Sequence, residues 1–142
     1  MKVVFVDDDV ENVEFVAGLV RDVLSAEVIV VTTVEDTVRA LHDPVRVDVL
    51  VMDLFIPMGR RPAQVLGPRA RKYEESVEDL GGLVILDELD RVPLPPVTLL
   101  HTACRDHVLL QLLGERVAAR VRKPAPAEVL LDAVLEVVRR PA

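Results

Sequence analysis

The sequence predicts an α/β protein in which a parallel β-sheet carries helices on both faces. Short apolar runs alternate along the chain with segments whose apolar residues recur at helical spacing. The run at 47–52 is apolar except for Asp48, as expected of a strand that is buried on both sides. Regular alternation of this kind is typical of βα units and a parallel sheet.

Five strands and five helices follow from these patterns. The predicted strands are residues 2–6, 27–32, 47–52, 97–101 and 117–121. The predicted helices are residues 9–25, 35–42, 82–91, 105–113 and 127–139. Asp9 stands where the first helix begins and is expected to be its N-cap.

Residues 58–80 interrupt this rhythm between the third strand and the third helix. The segment contains two glycines, two prolines and five basic residues, and four acidic residues follow them. We interpret it as a loop or a partly ordered insertion that is helical from Ala70 onward. The insertion lies beside the expected site. It would shield or clamp the group bound there, bind a partner, or be an ordinary solvated loop.

Length and composition restrict the class of protein. A chain of 142 residues with 51% hydrophobic residues suits one domain (1–142) with a real core, which excludes wholesale disorder. The net charge of −7 disfavours nonspecific binding to nucleic acid, and the lone cysteine, Cys104, excludes an internal disulfide. The sequence has no membrane-length apolar run and no secretory signal at its start. We therefore expect a cytoplasmic protein without a direct nucleic-acid or membrane partner.

Candidate site residues follow four of the predicted strands at the point where each strand ends. They are Asp7 and Asp8 after the first strand, Asp53 after the third, Thr102 and Ala103 after the fourth, and Lys123 after the fifth. These groups are expected to meet, because the carboxyl ends of parallel strands share one edge. Clustered carboxylates repel unless they bind a proton or a cation, and an oxygen-only ligand set suits Mg²⁺. The alternative is that each is an ordinary solvated residue at a strand end.

This ordered set resembles the receiver domain of two-component response regulators. The matching pieces are Val6-Asp7-Asp8, Asp53 with Pro57 four residues later, Thr102-Ala103 and Lys123-Pro124. They extend over nearly the whole chain apart from the insertion. The resemblance implies a flavodoxin-like, doubly wound fold with a five-stranded sheet in the order 2-1-3-4-5.

The resemblance also implies a phosphoacceptor function. Asp53 would be the nucleophile that takes a phosphoryl group from a sensor histidine kinase or a phosphotransfer protein. Asp7, Asp8 and Asp53 would hold Mg²⁺ together with the backbone carbonyl of Phe55. A receiver of this kind catalyses only its own phosphorylation and dephosphorylation.

The remaining strand-end residues would bind and report the phosphoryl group. Lys123 would contact its oxygens, while Thr102 and the backbone amide of Ala103 would hold another oxygen. Electrostatic stabilisation by Mg²⁺ and the lysine suffices for such a transfer. The added charge would pull Thr102 inward and shift the loop that follows the fourth strand.

A downstream protein partner would dock on the face made by the fourth helix, the fifth strand and the fifth helix. The residues expected on that face are Val108, Gln111, Leu112, Arg116, Arg120 and Arg122. Homodimerisation through the same face stays open. With no effector sequence after the last helix, we expect a free-standing receiver or a fragment of a longer protein.

Two departures from the family pattern keep other functions open. Arg120 stands three positions before Lys123, where the family usually has an aromatic switch residue, and the insertion is unusual at its place. Both favour a pseudo-receiver, a docking module that phosphorylation does not regulate. A haloacid-dehalogenase-type phosphatase would use Asp7 and Asp9, but the acidic pair expected after Lys123 is missing. A small-molecule-binding flavodoxin-like domain would need a glycine-rich loop after the first strand, which the sequence lacks.

Overall fold

The computed structural model describes residues 1–59 and 66–140 and contains one five-stranded, all-parallel sheet. The strands are β1 (Lys2–Val6), β2 (Glu27–Val31), β3 (Val49–Met52), β4 (Val97–Thr102) and β5 (Val117–Arg122). Their order in the sheet is β2-β1-β3-β4-β5. The predicted flavodoxin-like order is therefore confirmed.

Helices flank this sheet on both faces. They are α1 (Val10–Leu24), α2 (Val34–Leu41), α3 (Pro68–Arg71), α4 (Gly81–Leu89), α5 (His107–Gln111) and α6 (Ala127–Arg139). Two 3₁₀ segments, Glu74–Asp79 and Gly114–Arg116, precede α4 and β5. Among the described residues, no helix is long and apolar enough to cross a membrane.

Two apolar clusters fill the space between the sheet and its helices. Val4 and Val6 of β1 point to the cluster under α2, α4 and α5, whereas Val3 and Phe5 point to the cluster under α1 and α6. This alternation follows from the two-residue period of a strand. It makes the inner strands mostly apolar on both faces, which explains why the apolar runs in the sequence predict the strands.

Helix ends differ from the predictions where local hydrogen bonds decide them. Asp106 caps α5, because its carboxylate accepts hydrogen bonds from the backbone amides of Val108 and Leu109. The helix therefore begins at His107 and not at 105, and it is only five residues long. Asp9 does occupy the N-cap position of α1 but makes no capping bond, since its carboxylate is bonded to the side chain of Asn12.

The described part of the insertion packs on the core, so the solvated-loop interpretation is wrong for residues 66–80. Ala70 is fully buried, and the buried carboxylate of Asp87 on α4 holds α3 in place. Asp87 accepts hydrogen bonds from the backbone amides of Arg69 (3.3 Å) and Ala70 (3.0 Å). Its Oδ1 also lies 3.1 Å from Nη1 of Arg69. The expected helix from Ala70 onward is instead the short α3 followed by a 3₁₀ segment.

The cations of the insertion do not all face the expected site. Arg69 binds Asp87 and Asp90 at the end of α4 and donates to the backbone carbonyl of Leu112 (2.8 Å). That end of α4 leads into the start of β4, at the opposite edge of the sheet. Arg60 and Arg61 lie outside the described residues.

Candidate functional site

Two buried carboxylates lie side by side at the carboxyl edge of the sheet. Asp7 and Asp53 directly follow β1 and β3, which are paired in register through Val6 and Met52. Backbone bonds hold both residues: the amide of Asp7 donates to Val31 (3.0 Å) and the amide of Asp53 donates to Val6 (3.1 Å). Their relative exposures are 3% and 5%. Carboxylates buried this deeply are normally paired with an opposite charge, bound to a metal ion or protonated.

Lys123 supplies that charge from the end of β5. Its Nζ lies 2.7 Å from Oδ2 of Asp7 and 2.9 Å from Oδ2 of Asp53. Its backbone amide donates to the carbonyl of Thr102 (3.0 Å), and its peptide bond to Pro124 is cis. Residues from three strands thus meet at one ammonium group.

The electrostatics of this contact favour a charged lysine. Burial lowers the pKa of Lys123, but hydrogen bonds and charges from Asp7 and Asp53 outweigh it. The net pKa lies above the ordinary value of 10.5. Lys123 therefore remains an ammonium group throughout the physiological range.

The other oxygens of the two carboxylates accept backbone hydrogen bonds. Oδ1 of Asp7 accepts from the amide of Asp9 (2.9 Å), and Oδ1 of Asp53 accepts from the amide of Phe55 (3.3 Å). These bonds fix the planes of both carboxylates. The backbone just after each strand therefore orients the carboxylate at the end of that strand.

The expected convergence of three aspartates holds for two of them. Asp8 is exposed, and within residues 1–59 and 66–140 no three His, Cys, Asp or Glu side chains form a metal-binding group. The chemistry of the donors still fits a hard cation. Mg²⁺ often binds through one or two carboxylates and keeps several of its waters. Two adjacent carboxylates, from Asp7 and Asp53, meet that requirement.

Thr102 and Ala103 lie at the same edge, at the end of β4. Thr102 is buried, and its hydroxyl accepts a hydrogen bond from the backbone amide of Cys104 (3.3 Å). Ala103 is exposed. In the described part of the chain, no hydrogen bond joins the hydroxyl of Thr102 to Asp53. The two residues lie at the same edge of the sheet but are not hydrogen-bonded to each other. Cys104 is itself a buried thiol.

A pair of glycines brings α4 against the segment that follows Asp53. The amides of Gly81 and Gly82 donate to the carbonyls of Ile56 (2.9 Å) and Leu54 (3.0 Å). A Cβ atom on Gly82 would lie 2.6 Å from the Cα of Leu54 and 2.9 Å from the carbonyl oxygen of Asp53. Sequence analysis missed this requirement, although two adjacent glycines at the start of an apolar helix were a usable signal.

His101 is a second feature of the site that sequence analysis left without a role. Met52 pairs with Leu100, so His101 is the neighbour of Asp53 on the adjacent strand. Its Nε2 is buried and has no hydrogen-bond partner among the described residues. Burial, and next the charge of Lys123, lower the pKa of His101 against the opposing effect of Asp7 and Asp53. Its place beside Thr102 at a strand end could have identified it.

A cavity of about 590 Å³ adjoins the ammonium group between α1 and α6. Its walls include Asp7, His101, Ala103 and Lys123. The exposed ring of Phe15 on α1 lies at the same cavity. A molecule that approaches from this side therefore meets Lys123 and one of the two carboxylates.

Solved structures with the same architecture identify the fold. The chain has the fold of response-regulator receiver domains. A two-component response regulator from Clostridium difficile matches with a TM-score of 0.69 at 15% identity, over 99% of this chain and 97% of the other. A Francisella response regulator receiver domain matches with a TM-score of 0.69 at 16% identity, over 98% and 97% of the two chains.

A third solved structure with a similar fold comes from another organism. The CheY-like receiver domain protein from Methanospirillum hungatei matches with a TM-score of 0.68 at 14% identity, over 96% of this chain and 92% of the other. No protein-family model and no curated protein matches the sequence. The likeness to receiver domains is thus one of fold, and function has to be argued from the site.

Proposed function

We propose that this protein is a phosphoacceptor signalling domain in which Asp53 takes a phosphoryl group from a phosphohistidine of a kinase or phosphotransfer protein. The observation that carries the proposal is the ammonium group of Lys123, 2.7 Å from Asp7 and 2.9 Å from Asp53. A carboxylate held beside a fixed cation, at the carboxyl edge of a receiver-type sheet, suits phosphoryl transfer. Such a reaction depends mainly on position and electrostatics.

Asp53 acts as the nucleophile in this proposal. One of its carboxylate oxygens forms a bond to phosphorus while the bond from phosphorus to the donor breaks. The backbone amide of Phe55 keeps the carboxylate oriented through Oδ1. Lys123 offsets the charge of the transferred oxygens, and the hydroxyl of Thr102 and the amide of Ala103 bind another of them.

Asp7, Asp8 and Asp53, with the carbonyl of Phe55, would hold Mg²⁺. When bound, the cation supplies charge that stabilises the oxygens on phosphorus. Asp7 is already fixed beside Asp53 by its bond to the amide of Asp9. Asp8 is exposed and adjacent in sequence, so its carboxylate is free to turn toward a cation at the edge of the sheet.

Mass measurement after incubation with acetyl phosphate tests the proposal. We expect one phosphoryl group per chain in the presence of Mg²⁺ and none after chelation. Asp53→Asn should remove the label, whereas Asp22→Asn, at an exposed position on α1, should keep it. Labelling that survives Asp53→Asn would contradict the assignment of the nucleophile.

A pseudo-receiver is the second candidate function. It is favoured by the exposure of Asp8 and by Arg120, an exposed cation that cannot bury as an aromatic ring does. This candidate predicts no phosphoryl group under any of these conditions. Release of inorganic phosphate over many turnovers would instead indicate a phosphatase.

A further inference from the structure

The short helix α5 is held only weakly by the core. Of its five residues (His107–Gln111), Leu109 alone is buried, and Val108 is 65% exposed. A helix of this length has little stability of its own, because few hydrogen bonds form within it. The position of α5 therefore depends on the contacts at its two ends.

The first end of α5 is connected to the strand end that carries Thr102. Four residues (103–106) join β4 to the helix. Asp106 caps the helix, because its carboxylate accepts hydrogen bonds from two backbone amides of the first turn. In the same connection, the amide of Cys104 donates to the hydroxyl of Thr102 (3.3 Å). A displacement of α5 would therefore be transmitted to the loop that binds the Thr102 hydroxyl.

The second end of α5 is held by the insertion. Nε of Arg69, on α3, donates to the carbonyl of Leu112 (2.8 Å), the residue that directly follows α5. The last carbonyls of a helix have no partner within the helix, so this bond satisfies a group that the fold leaves open. The side chain of Arg69 is 17% exposed, which limits competition from water for the bond.

Arg69 is itself fixed by two carboxylates, one on α4 and one just after it. Its Nη1 lies 3.1 Å from Oδ1 of Asp87 and 2.8 Å from Oδ2 of Asp90. Oδ1 of Asp90 also accepts from Nε (3.0 Å) and Nη2 (2.6 Å) of Arg116, which lies just before β5. The rigid guanidinium group thus uses Nη1 for the α4 carboxylates and Nε for the end of α5.

We propose that Arg69 restrains α5 and thereby slows the phosphorylation of Asp53. Among the described residues, the Thr102 hydroxyl is bonded to the amide of Cys104 and not to Asp53. The loop after β4 has to shift before this hydroxyl can bind a phosphoryl oxygen, and a helix fixed at its far end resists that shift. The effect on phosphorylation rests on the proposed function, whereas the restraint of α5 does not.

Hydrogen exchange of the Arg69→Lys variant tests the restraint. Lysine keeps a positive charge beside the two carboxylates, but one ammonium group cannot reproduce both sets of bonds. The amides of Leu112 and Leu113 report on α5, because both donate to its carbonyls. We expect their exchange to become at least about tenfold faster than in the wild type. Exchange at the amide of Phe5, in the buried strand β1, should stay unchanged.

Arg91→Lys is the matched control for this experiment. Arg91 lies at the same end of α4 and forms a surface ion pair with Glu88 (Nη1–Oε2 3.5 Å), so its replacement should leave exchange in α5 unchanged. Arg69→Gln covers the case in which the lysine side chain still reaches the carbonyl of Leu112. Unchanged exchange at the two α5 reporter amides in both Arg69 variants overturns the restraint. An equal rise at the β1 amide in both variants also overturns it, because the effect would then be general destabilisation.

The rate of acetyl phosphate labelling with Mg²⁺ tests the effect on phosphorylation. Arg69→Lys should be labelled about threefold faster than the wild type, and Arg91→Lys at the wild-type rate. Equal or slower labelling of Arg69→Lys, with α5 exchanging faster, would refute the claim that the restraint slows phosphorylation. Absence of labelling in the wild type would refute the proposed function and this effect together. The exchange result would still decide whether Arg69 restrains α5.

Discussion

Asp87 provides the strongest test of how the insertion is attached. Replacing it by Ala removes the acceptor of two backbone amides, of which that of Ala70 is fully buried. An unsatisfied buried amide costs about 1–3 kcal/mol, and loss of the charged bond to Arg69 adds about 1–2 kcal/mol. Arg69 keeps Asp90 and the carbonyl of Leu112, so its own charge is not left alone. We expect Asp87→Ala to lower the free energy of unfolding by about 3–4 kcal/mol.

Urea denaturation measures this loss. With an m-value of about 2 kcal/mol/M, the midpoint should fall by nearly 2 M. Asp22→Ala, an exposed aspartate on α1, should change the free energy of unfolding by less than about 0.5 kcal/mol. Hydrogen exchange should also become faster at the amide of Ala70. A loss below about 1 kcal/mol for Asp87→Ala, with unchanged exchange, would refute the attachment of α3 through this carboxylate.

Three further changes address the site. Gly82→Ala should destabilise the protein by about 2 kcal/mol in urea titrations and reduce acetyl phosphate labelling, because its Cβ would lie 2.6 Å from the Cα of Leu54. Lys123→Met should slow labelling at least about tenfold. The stabilisation that Lys123 provides should be complete below pH 10.5 and lost as the pH rises through its raised folded-state pKa, so alkaline unfolding curves of the variant and the wild type should converge. His101→Leu should increase stability by about 1 kcal/mol, because it removes a buried nitrogen without a partner. This gain should grow as the pH falls below 6.5, since the lowered pKa of His101 makes the unfolded chain take up the proton first.

The strands were predictable because buried strands appear in the sequence as short runs of apolar residues. β1 and the helix over Ala127–Arg139 have the predicted bounds, since an apolar run or an apolar stripe ends at each boundary. The start of α5 was predicted two residues too early, because the sequence does not reveal that the carboxylate of Asp106 caps the helix. A short polar residue such as Asp can cap the end of a helix or lie on its exposed side. Apolar periodicity alone does not distinguish these two positions.

The meeting of Asp7, Asp53 and Lys123 was predictable from strand ends alone, because parallel strands deliver their carboxyl ends to one edge. The attachment of the insertion was not. Asp87 stands between Leu86 and Glu88, where a carboxylate usually indicates the solvent side of a helix. Only the fold places backbone amides of α3 over it. Sequence patterns report which side of an element is apolar, whereas they do not report which polar group is buried with a partner.

The charges at the site favour a divalent cation in the proposed reaction. The carboxylates of Asp7 and Asp53 carry two negative charges, and Lys123 offsets one of them. A donor phosphoryl group brings roughly two more negative charges to the same edge of the sheet. The single positive charge of Lys123 cannot balance this total negative charge. Arg69 does not contribute, because it forms ion pairs with Asp87 and Asp90 at the other edge of the sheet. A divalent cation on Asp7 restores the original balance while Lys123 stays in place. The dependence of labelling on Mg²⁺ is therefore the property of this site that its charges predict most directly.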